Sequence, residues 1–352
     1  MRRLRGWDRS LLAGAARRMF ATRTATPLPP AACQSILLVR VDERLGNLIC
    51  LQQLIDALRA ARPRAELALL AAWKMRRVAR CLQGLDRLHL IDKRWPLTHP
   101  VRWWRAIEEI RHQGYQLTVD ASAWHEFSFT HAALAWWSGA PHRIGYRRPN
   151  SLSGFHDILV DPGPETEYEG RQRQRLLDPL GIFTEPPPPR TALGLEQKEY
   201  QTRWLERHLP HHPWVGIWPG GRKRERRNPP ELFARLAGEL SVSHDASFLV
   251  LWGRGERPLA EKLAQYIGPS ACPAPPTDLE QLAGLLRSLE LFITNDTGPM
   301  HLAVAVGTPT LTLFASGEPS RWGHPGNKVR NLYYNGPQSL PLALQAAREL
   351  LG

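Results

Sequence analysis

The chain has 352 residues and a formal net charge of +13, from 46 lysines and arginines against 33 acidic residues. With 43% hydrophobic residues it is long enough and apolar enough for two domains, each with its own core. No apolar run of about 18 residues is present and the four cysteines are scattered without a metal-ligand spacing, which argues against a membrane-spanning helix, a disulfide scaffold and a zinc site. The charge favours an anionic partner: nucleic acid, an anionic membrane surface or a phosphorylated substrate.

A basic segment, 1–32, precedes the first predicted strand. Arginines alternate with apolar side chains in residues 1–20, and Asp8 is the only acid there. On a helix the apolar side chains fall largely on one side, which favours an interfacial helix on an anionic membrane. A poorly ordered basic tail and a mitochondrial presequence fit the composition as well. Residues 22–32 hold three prolines and are predicted to be a linker.

The first predicted domain, 33–184, opens with a β-α-β step. A buried strand at 35–41 is followed by a turn at 42–47 and an amphipathic helix at 48–61. Gly46 is the single glycine of this turn, so the three-glycine fingerprint of a dinucleotide site is absent. Further strands are predicted at 65–70, 88–91 and 117–120, and further helices at 101–113, 129–138 and 168–180.

A proline run at 185–190 is the predicted linker to a second domain, 191–352. There, a strand at 214–218 leads into a glycine-led basic loop, 219–228. Its glycines expose backbone N–H groups and its arginines neutralise charge, so the loop is a candidate anion site; a solvated surface loop is the alternative. The final helix, 338–351, is assigned to this domain, with packing against the first domain as the alternative. Other elements are a helix at 229–240, a strand at 248–252 and a helix at 279–289.

The most informative stretch lies at 291–314. An apolar strand, a polar turn at 295–298 and an Ala-rich helix predict a second β-α-β step, with a closing strand at 310–314. A helix N-terminus binds phosphate well because its first N–H groups are unpaired. An ordinary capped helix start is the alternative. The candidates for contact with such a ligand are Asp296, Thr297, Gly298 and His301.

The run Asp-Thr-Gly-Pro at 296–299, followed by His301 and by Gly-Thr-Pro at 307–309, resembles the signature of glycosyltransferase family 9. That family contains the ADP-heptose:lipopolysaccharide heptosyltransferases. Residues 314–326 and 36–46 are similar to other segments of the family. The resemblance implies an α/β fold of GT-B type, with two Rossmann-like domains whose parallel sheets face each other across a cleft. The nucleotide-sugar donor would meet the second domain and the acceptor the first.

The same resemblance assigns site residues. Family members usually carry a catalytic Asp where this chain has Asn47. Asn is not a base, so Asp42 is one candidate for the proton acceptor. In the alternative, Asn47 only orients an acceptor that is partly activated in another way. Arg44 and Gly46 are expected at the acceptor. Residues expected to bind the donor are Gly220, Gly221, Arg226, Glu256, Asp296, Thr297, Gly298 and His301.

The resemblance therefore predicts an inverting transfer of a heptose or related sugar from an ADP-sugar to a lipopolysaccharide core or similar anionic glycolipid. It implies no cofactor and no metal. A degenerate member that binds sugar nucleotide or lipopolysaccharide without transfer is the alternative. A nucleic-acid-binding protein is disfavoured, because no recognised binding motif is present. The predicted location is the cytoplasm, peripherally on the inner membrane of a Gram-negative bacterium.

Overall fold

A computed structural model describes residues 32, 34–148 and 154–352. The predicted interfacial helix within 1–20 lies outside the described residues. The strands are β1 (Ser35–Arg40), β2 (Glu66–Ala72), β3 (Arg87–Ile91), β4 (Leu117–Asp120), β5 (His142–Tyr146), β6 (Ile158–Val160), β7 (Trp214–Trp218), β8 (Ser247–Val250), β9 (Ala271–Pro273), β10 (Leu291–Asn295), β11 (Thr310–Phe314) and β12 (Val329–Tyr333).

The α-helices lie mostly between successive strands. None of the described helices is both long and apolar enough to cross a membrane. They are α1 (Leu45–Ile49), α2 (Leu51–Ala61), α3 (Arg76–Arg80), α4 (Trp95–Thr98), α5 (Pro100–His112), α6 (Phe129–Trp137), α7 (Glu169–Gln174), α8 (Lys198–His208), α9 (Pro230–His244), α10 (Arg257–Ile267), α11 (Leu279–Ser288), α12 (Gly298–Val306), α13 (Pro319–Trp322) and α14 (Leu340–Leu351).

The described strands form two six-stranded sheets. Their orders are β3-β2-β1-β4-β5-β6 and β9-β8-β7-β10-β11-β12, and their neighbouring strands pair in parallel. Counted from its own first strand, each sheet has the order 3-2-1-4-5-6 of doubly wound, Rossmann-type folds. The order reverses between β1 and β4, and again between β7 and β10. In such sheets ligands bind at the carboxyl ends of the strands at that switch point. The predicted pair of Rossmann-like sheets is confirmed.

The chain divides into two compact units at Pro187 and Pro188, inside the predicted linker 185–190. Each unit contains one sheet. The segments 44–52 and 165–169 belong to the second unit, although the surrounding residues belong to the first. The sequence analysis did not predict that these two segments belong with the second unit. The predicted domain limits remain a prediction.

The central strands of the second sheet are buried on both faces, and this includes the polar residues Thr294, Asn295, Thr310 and Thr312. Every residue of β7, β10 and β11 is buried, as is usual for parallel strands covered by helices on both sides. Between β10 and β11, α12 ends at Gly307, whose φ of +89° is the left-handed conformation that glycine adopts without strain. The final helix, α14, contributes Ala343, Ala346 and Ala347 to the hydrophobic core of the second unit.

Two predicted elements differ in the structure. The turn at 42–47 already becomes helical at Leu45, and Cys50 separates α1 from α2, so Gly46 and Asn47 lie in a helix. The predicted helix at 168–180 is α7 followed by a 3-10 helix, Arg175–Leu180. Pro179 lies inside that second part, and proline has no N–H for an α-helical hydrogen bond.

Candidate functional site

The predicted donor residues follow the two central strands of the second sheet. Gly220 and Gly221 come just after β7, and Thr297 comes just after β10. β7 and β10 are paired neighbours, so both loops leave the sheet side by side at the switch point. A Cβ atom on Gly221 would lie only 2.9 Å from Cγ2 of Thr297. The structure thus brings the glycine-led loop and the start of α12 into contact.

Two buried asparagines fix this loop to the sheet. The side-chain amide of Asn295 donates to the carbonyl oxygens of Pro219 and Gly220, at 2.9 and 3.1 Å. Its Oδ1 accepts from the backbone N–H and the side-chain amide of Asn228, at 3.0 and 2.9 Å. The Asn228 amide also donates to the carbonyl of Leu313 on β11, at 2.9 Å. Loop 219–228 is therefore tied to both β10 and β11, a role that the sequence did not reveal.

Arg226 reaches the start of α12 through an ion pair. Its Nη1 lies 2.5 Å from Oδ2 of Asp296, whose side chain is buried. Burial raises the pKa of Asp296, and the charge and hydrogen bond of Arg226 act in the opposite direction. Asp296 does not cap the helix, because the N-cap residue is Thr297, whose side chain makes no capping hydrogen bond.

Glu256 binds the glycine-led loop through its carboxylate. Its carboxylate accepts from the backbone N–H groups of Gly221 and Gly253, at 2.8 and 3.1 Å, and from Nη2 of Arg227 at 3.2 Å. A Cβ atom on Gly220 would come within 2.1 Å of Oε2 of Glu256, so any other residue there would displace this carboxylate. The structure therefore gives Glu256, a predicted donor-binding residue, three partners within the protein.

Helix α1 packs against α12 through a glycine. A Cβ atom on Gly46 would lie 2.3 Å from Cδ2 of His301, so the backbone of α1 closely approaches this imidazole. Nδ1 of His301 lies 2.7 Å from Nε2 of His324, and Nδ1 of His324 lies 2.6 Å from the hydroxyl of Tyr168. Gly46, assigned to the acceptor by resemblance, thus belongs to the surroundings of a predicted donor residue.

The first unit has its own polar cluster at the switch point between β1 and β4. Arg40 is buried at the end of β1, and its Nε lies 2.5 Å from Oδ2 of Asp42. Nη1 of Arg40 donates to the carbonyl of Ala121, just after β4. The backbone N–H of Val41 donates to Nε2 of His131, at 3.0 Å. The candidate base Asp42 is therefore positioned by a buried arginine.

A buried Asp–His pair lies beside it. Oδ2 of Asp120 is 3.0 Å from Nε2 of His156, and Oδ1 accepts from the backbone N–H of Ser122 at 2.9 Å. Burial acts to raise the pKa of Asp120. The hydrogen bond and charge of His156, with the charges of His131 and Arg148, outweigh it and hold the pKa well below its ordinary value. Sequence reading missed this residue, although its position at the end of β4 was a usable signal.

The buried histidine His131 should make the first unit sensitive to mild acid. Burial lowers its pKa from an ordinary value of 6.5, with the charge of Asp120 opposing. At mildly acidic pH the folded state therefore binds fewer protons than the unfolded state. The contribution of neutral His131 to the free energy of unfolding is complete above about pH 6.5 and is lost as the pH falls toward the pKa of the folded state. We expect the free energy of unfolding, measured with urea, to fall less between about pH 7.5 and 5.5 in His131→Gln than in the wild type. The exposed His112→Gln is the control and should behave like the wild type; an unchanged slope in His131→Gln contradicts the prediction.

The family model described as glycosyltransferase family 9 (heptosyltransferase) matches residues 103–341, well over half of the chain. The chain belongs to glycosyltransferase family 9. Lipopolysaccharide heptosyltransferase 2 of Escherichia coli K12 is 24% identical over 292 residues, which cover 78% of this chain and 81% of that protein. Family 9 membership confirms the resemblance found in the sequence and makes this chain a member of a glycosyltransferase family.

Solved structures of family 9 share its fold. A family 9 glycosyl transferase from Veillonella parvula has a TM-score of 0.78 at 18% identity and covers 93% of this chain and 99% of that one. The structure of E. coli ADP-heptose lipopolysaccharide heptosyltransferase II has a TM-score of 0.70 at 18% identity and covers 90% and 98%. With the two Rossmann-type sheets, these likenesses confirm the predicted GT-B type of fold.

Proposed function

We propose that this family 9 member transfers a heptose or a related sugar from an ADP-sugar to a lipopolysaccharide core or a similar anionic glycolipid. The observation that carries the proposal is the meeting of three anion-binding features at the switch point of the second sheet. These are the start of α12, the glycine-led loop and the guanidinium of Arg226. The ADP-heptose named for the E. coli relative supports the choice of donor.

The chemistry is one in-line displacement with inversion. The acceptor hydroxyl attacks C1 of the donor sugar and gives its proton to a base, while the bond from C1 to the diphosphate oxygen breaks. Negative charge grows on the departing diphosphate, and donors fixed in advance stabilise it. The N–H groups of α12 and the charge of Arg226 fill that role, so the transfer step itself needs no metal.

A binding-only role is the second candidate. By the resemblance to family 9, Asn47 stands where an Asp is expected, and it lies half-buried in α1. An amide cannot accept the proton that the displacement releases. A protein that holds sugar nucleotide or lipopolysaccharide without transfer would keep the features of the second sheet and lack turnover.

Donor binding tests the proposal directly. Thr297→Val combined with Arg226→Ala should weaken ADP-sugar binding by about tenfold or more, because a hydroxyl and a charged hydrogen-bond donor are lost. Calorimetry measures the affinity. Arg222→Ala is the matched control, since it removes the same charge from an exposed position of the same loop and should bind nearly as well as the wild type. Equal affinity of the double variant and the wild type would sink the donor assignment.

Peripheral attachment to an anionic membrane, at the cytoplasmic face of the inner membrane, is part of the same proposal. Two features support it. Residues 1–20 are rich in arginine and apolar side chains. On α4 and α5, Leu97, Val101 and Trp104 are 92%, 64% and 58% exposed. Exposed basic residues share this region, namely Lys93, Arg94, Arg102 and Arg105. Apolar side chains with basic neighbours suit the interface of an anionic bilayer.

Sedimentation with anionic vesicles at low salt distinguishes the two features. Deletion of residues 1–20 should abolish pelleting if that segment is the anchor, whereas Leu97→Asp with Trp104→Asp should reduce pelleting if α4 and α5 contribute. Val242→Asp, 90% exposed on α9, is the control and should pellet like the wild type. A protein that carries both the deletion and the two substitutions is compared with the wild type. If it pellets equally well, neither feature is the anchor and the net positive charge of the protein causes the vesicle binding.

A further inference from the structure

Three potential metal ligands meet where α1, α12 and the loop before β12 come together in the second unit. Sγ of Cys50 lies 3.7 Å from Nδ1 of His301 and 3.9 Å from Nε2 of His324, and the two nitrogens are 2.7 Å apart. All three atoms lie within 4.8 Å of one another. Cys50 and His324 are buried and His301 is half-buried. The ligands are far apart in the chain, which is why no metal spacing is visible in the sequence.

We propose that Cys50, His301 and His324 bind one divalent transition-metal ion of the zinc class. Bond lengths in tetrahedral zinc sites place sulfur and nitrogen ligands about 3.6 Å apart and two nitrogen ligands about 3.3 Å apart. Both sulfur–nitrogen distances already fit. The ion replaces the contact between the two imidazoles, which separate by about half an ångström to admit it.

The chemistry of the ligands selects the metal. One thiol and two imidazoles suit zinc or cobalt, whereas magnesium and calcium prefer oxygen ligands. Three protein ligands leave a fourth position for water or another exchangeable ligand.

Tyr168 supplies the outer contact that histidine ligands usually have. Its hydroxyl lies 2.6 Å from Nδ1 of His324, on the nitrogen that does not face Cys50. When Nδ1–H donates to this hydroxyl, Nε2 carries the lone pair that a metal requires. The ring of His301 is fixed from another side by Gly46. Both imidazoles are thus oriented before an ion arrives.

An ion at this site would lock the first turn of α12 to α1. His301 belongs to that first turn, and Cys50 directly follows α1. The metal site is inferred from its three ligands and their distances and does not rest on the proposed transferase function, although it shares His301 with the predicted donor residues. The physical role of the bound ion is to hold His301 at a fixed position through Nδ1.

Cobalt binding to the full chain, prepared without an added histidine tag and without any sugar nucleotide, tests the inference. After loading and desalting, the wild type should retain about one cobalt per chain. It should show a thiolate-to-cobalt charge-transfer band together with intense four-coordinate d–d bands. Cys50→Ser should lose the charge-transfer band, and His324→Gln should bind at least about tenfold more weakly. Tyr168→Phe keeps all three ligands and should weaken binding by about tenfold. Cys272→Ser is the matched control and should keep the complete spectrum.

The wild-type spectrum decides the matter even if a variant fails to fold. No retained cobalt, or retained cobalt without the charge-transfer band, overturns the proposal and leaves the three residues as a hydrogen-bonded cluster. A charge-transfer band that persists in Cys50→Ser overturns it as well, because the thiolate must then come from another cysteine. Zinc should displace cobalt and abolish the bands, whereas magnesium should not.

Discussion

Gly46→Ala should lower turnover by about 100-fold, because it displaces a predicted donor residue without touching the donor. The added Cβ would lie 2.3 Å from Cδ2 of His301, far inside the contact distance of two carbon atoms. Either α1 or the imidazole must move by roughly an ångström, and errors of that size cost about 100-fold in catalysis. Overpacking of this kind also costs about 1–3 kcal/mol of stability. Steady-state kinetics and urea unfolding measure the two effects.

A second glycine and a rescue variant separate the clash from a general helix effect. Gly238 lies exposed on α9, and a Cβ atom there would have no neighbour within 4 Å, so Gly238→Ala should leave activity unchanged and stabilise by about 0.5–1 kcal/mol. Combining Gly46→Ala with His301→Ala removes the ring that causes the clash and should recover stability without recovering turnover. Wild-type turnover in Gly46→Ala would show that the position of His301 does not matter.

The sequence predicted the two central strands of the second sheet and the residues that follow them. β7 carries no polar side chain apart from its tryptophans and β10 begins with three apolar residues, so the polar residues after each run stand out against them. Because carboxyl ends of adjacent parallel strands share one edge, the loop after β7 and the turn after β10 had to meet. Given that β7 and β10 are neighbours, the sequence is enough to predict that Gly221 and Thr297 lie close together.

Other features depend on distant partners and left no local pattern. Asn228 stands in a basic loop whose composition is typical of a solvated surface, yet it is buried against Asn295 and β11. His324 meets His301 and Cys50 from separate parts of the chain. Each contact is decided by tertiary packing, so composition and periodicity could not reveal it.

Weak local signals explain the misplaced boundaries. Helix α1 begins after Arg44, which makes no side-chain capping hydrogen bond, so none of the usual N-cap residues marks its start. The strands β6 and β9 have three residues each, and both are partly exposed. Short edge strands of this kind do not produce the apolar runs that identified the central strands.

Asp42→Asn should reduce transfer by about 100-fold or more, the usual effect of removing a general base. Asp42 follows β1 and its side chain is 24% exposed, so it remains accessible at the end of the strand. Arg40 lies 2.5 Å away and holds the carboxylate of Asp42 in place. Asn47→Ala should lose less activity, because an amide contributes only positioning.

A matched acid separates loss of the base from loss of charge. Glu43 is the next residue and pairs with Lys74 at 2.9 Å, so Glu43→Gln removes one negative charge from the same segment and should keep most of the activity. Asp42→Asn also leaves the buried Arg40 without its carboxylate partner, so unfolding must be measured beside turnover. Full activity of Asp42→Asn would place the base elsewhere.

Asn47→Asp decides between the transferase and the binding-only candidate. It places a carboxylate where the resemblance to family 9 predicts an Asp, and a carboxylate there can accept the proton released by the attacking hydroxyl. In an active transferase this variant should keep or raise the rate, and it should partly rescue Asp42→Asn because a second base is then present. In a binding-only protein the wild type should bind ADP-sugar and transfer nothing. The single substitution Asn47→Asp should then gain activity, since it leaves the proposed donor-binding features of the second sheet unaltered.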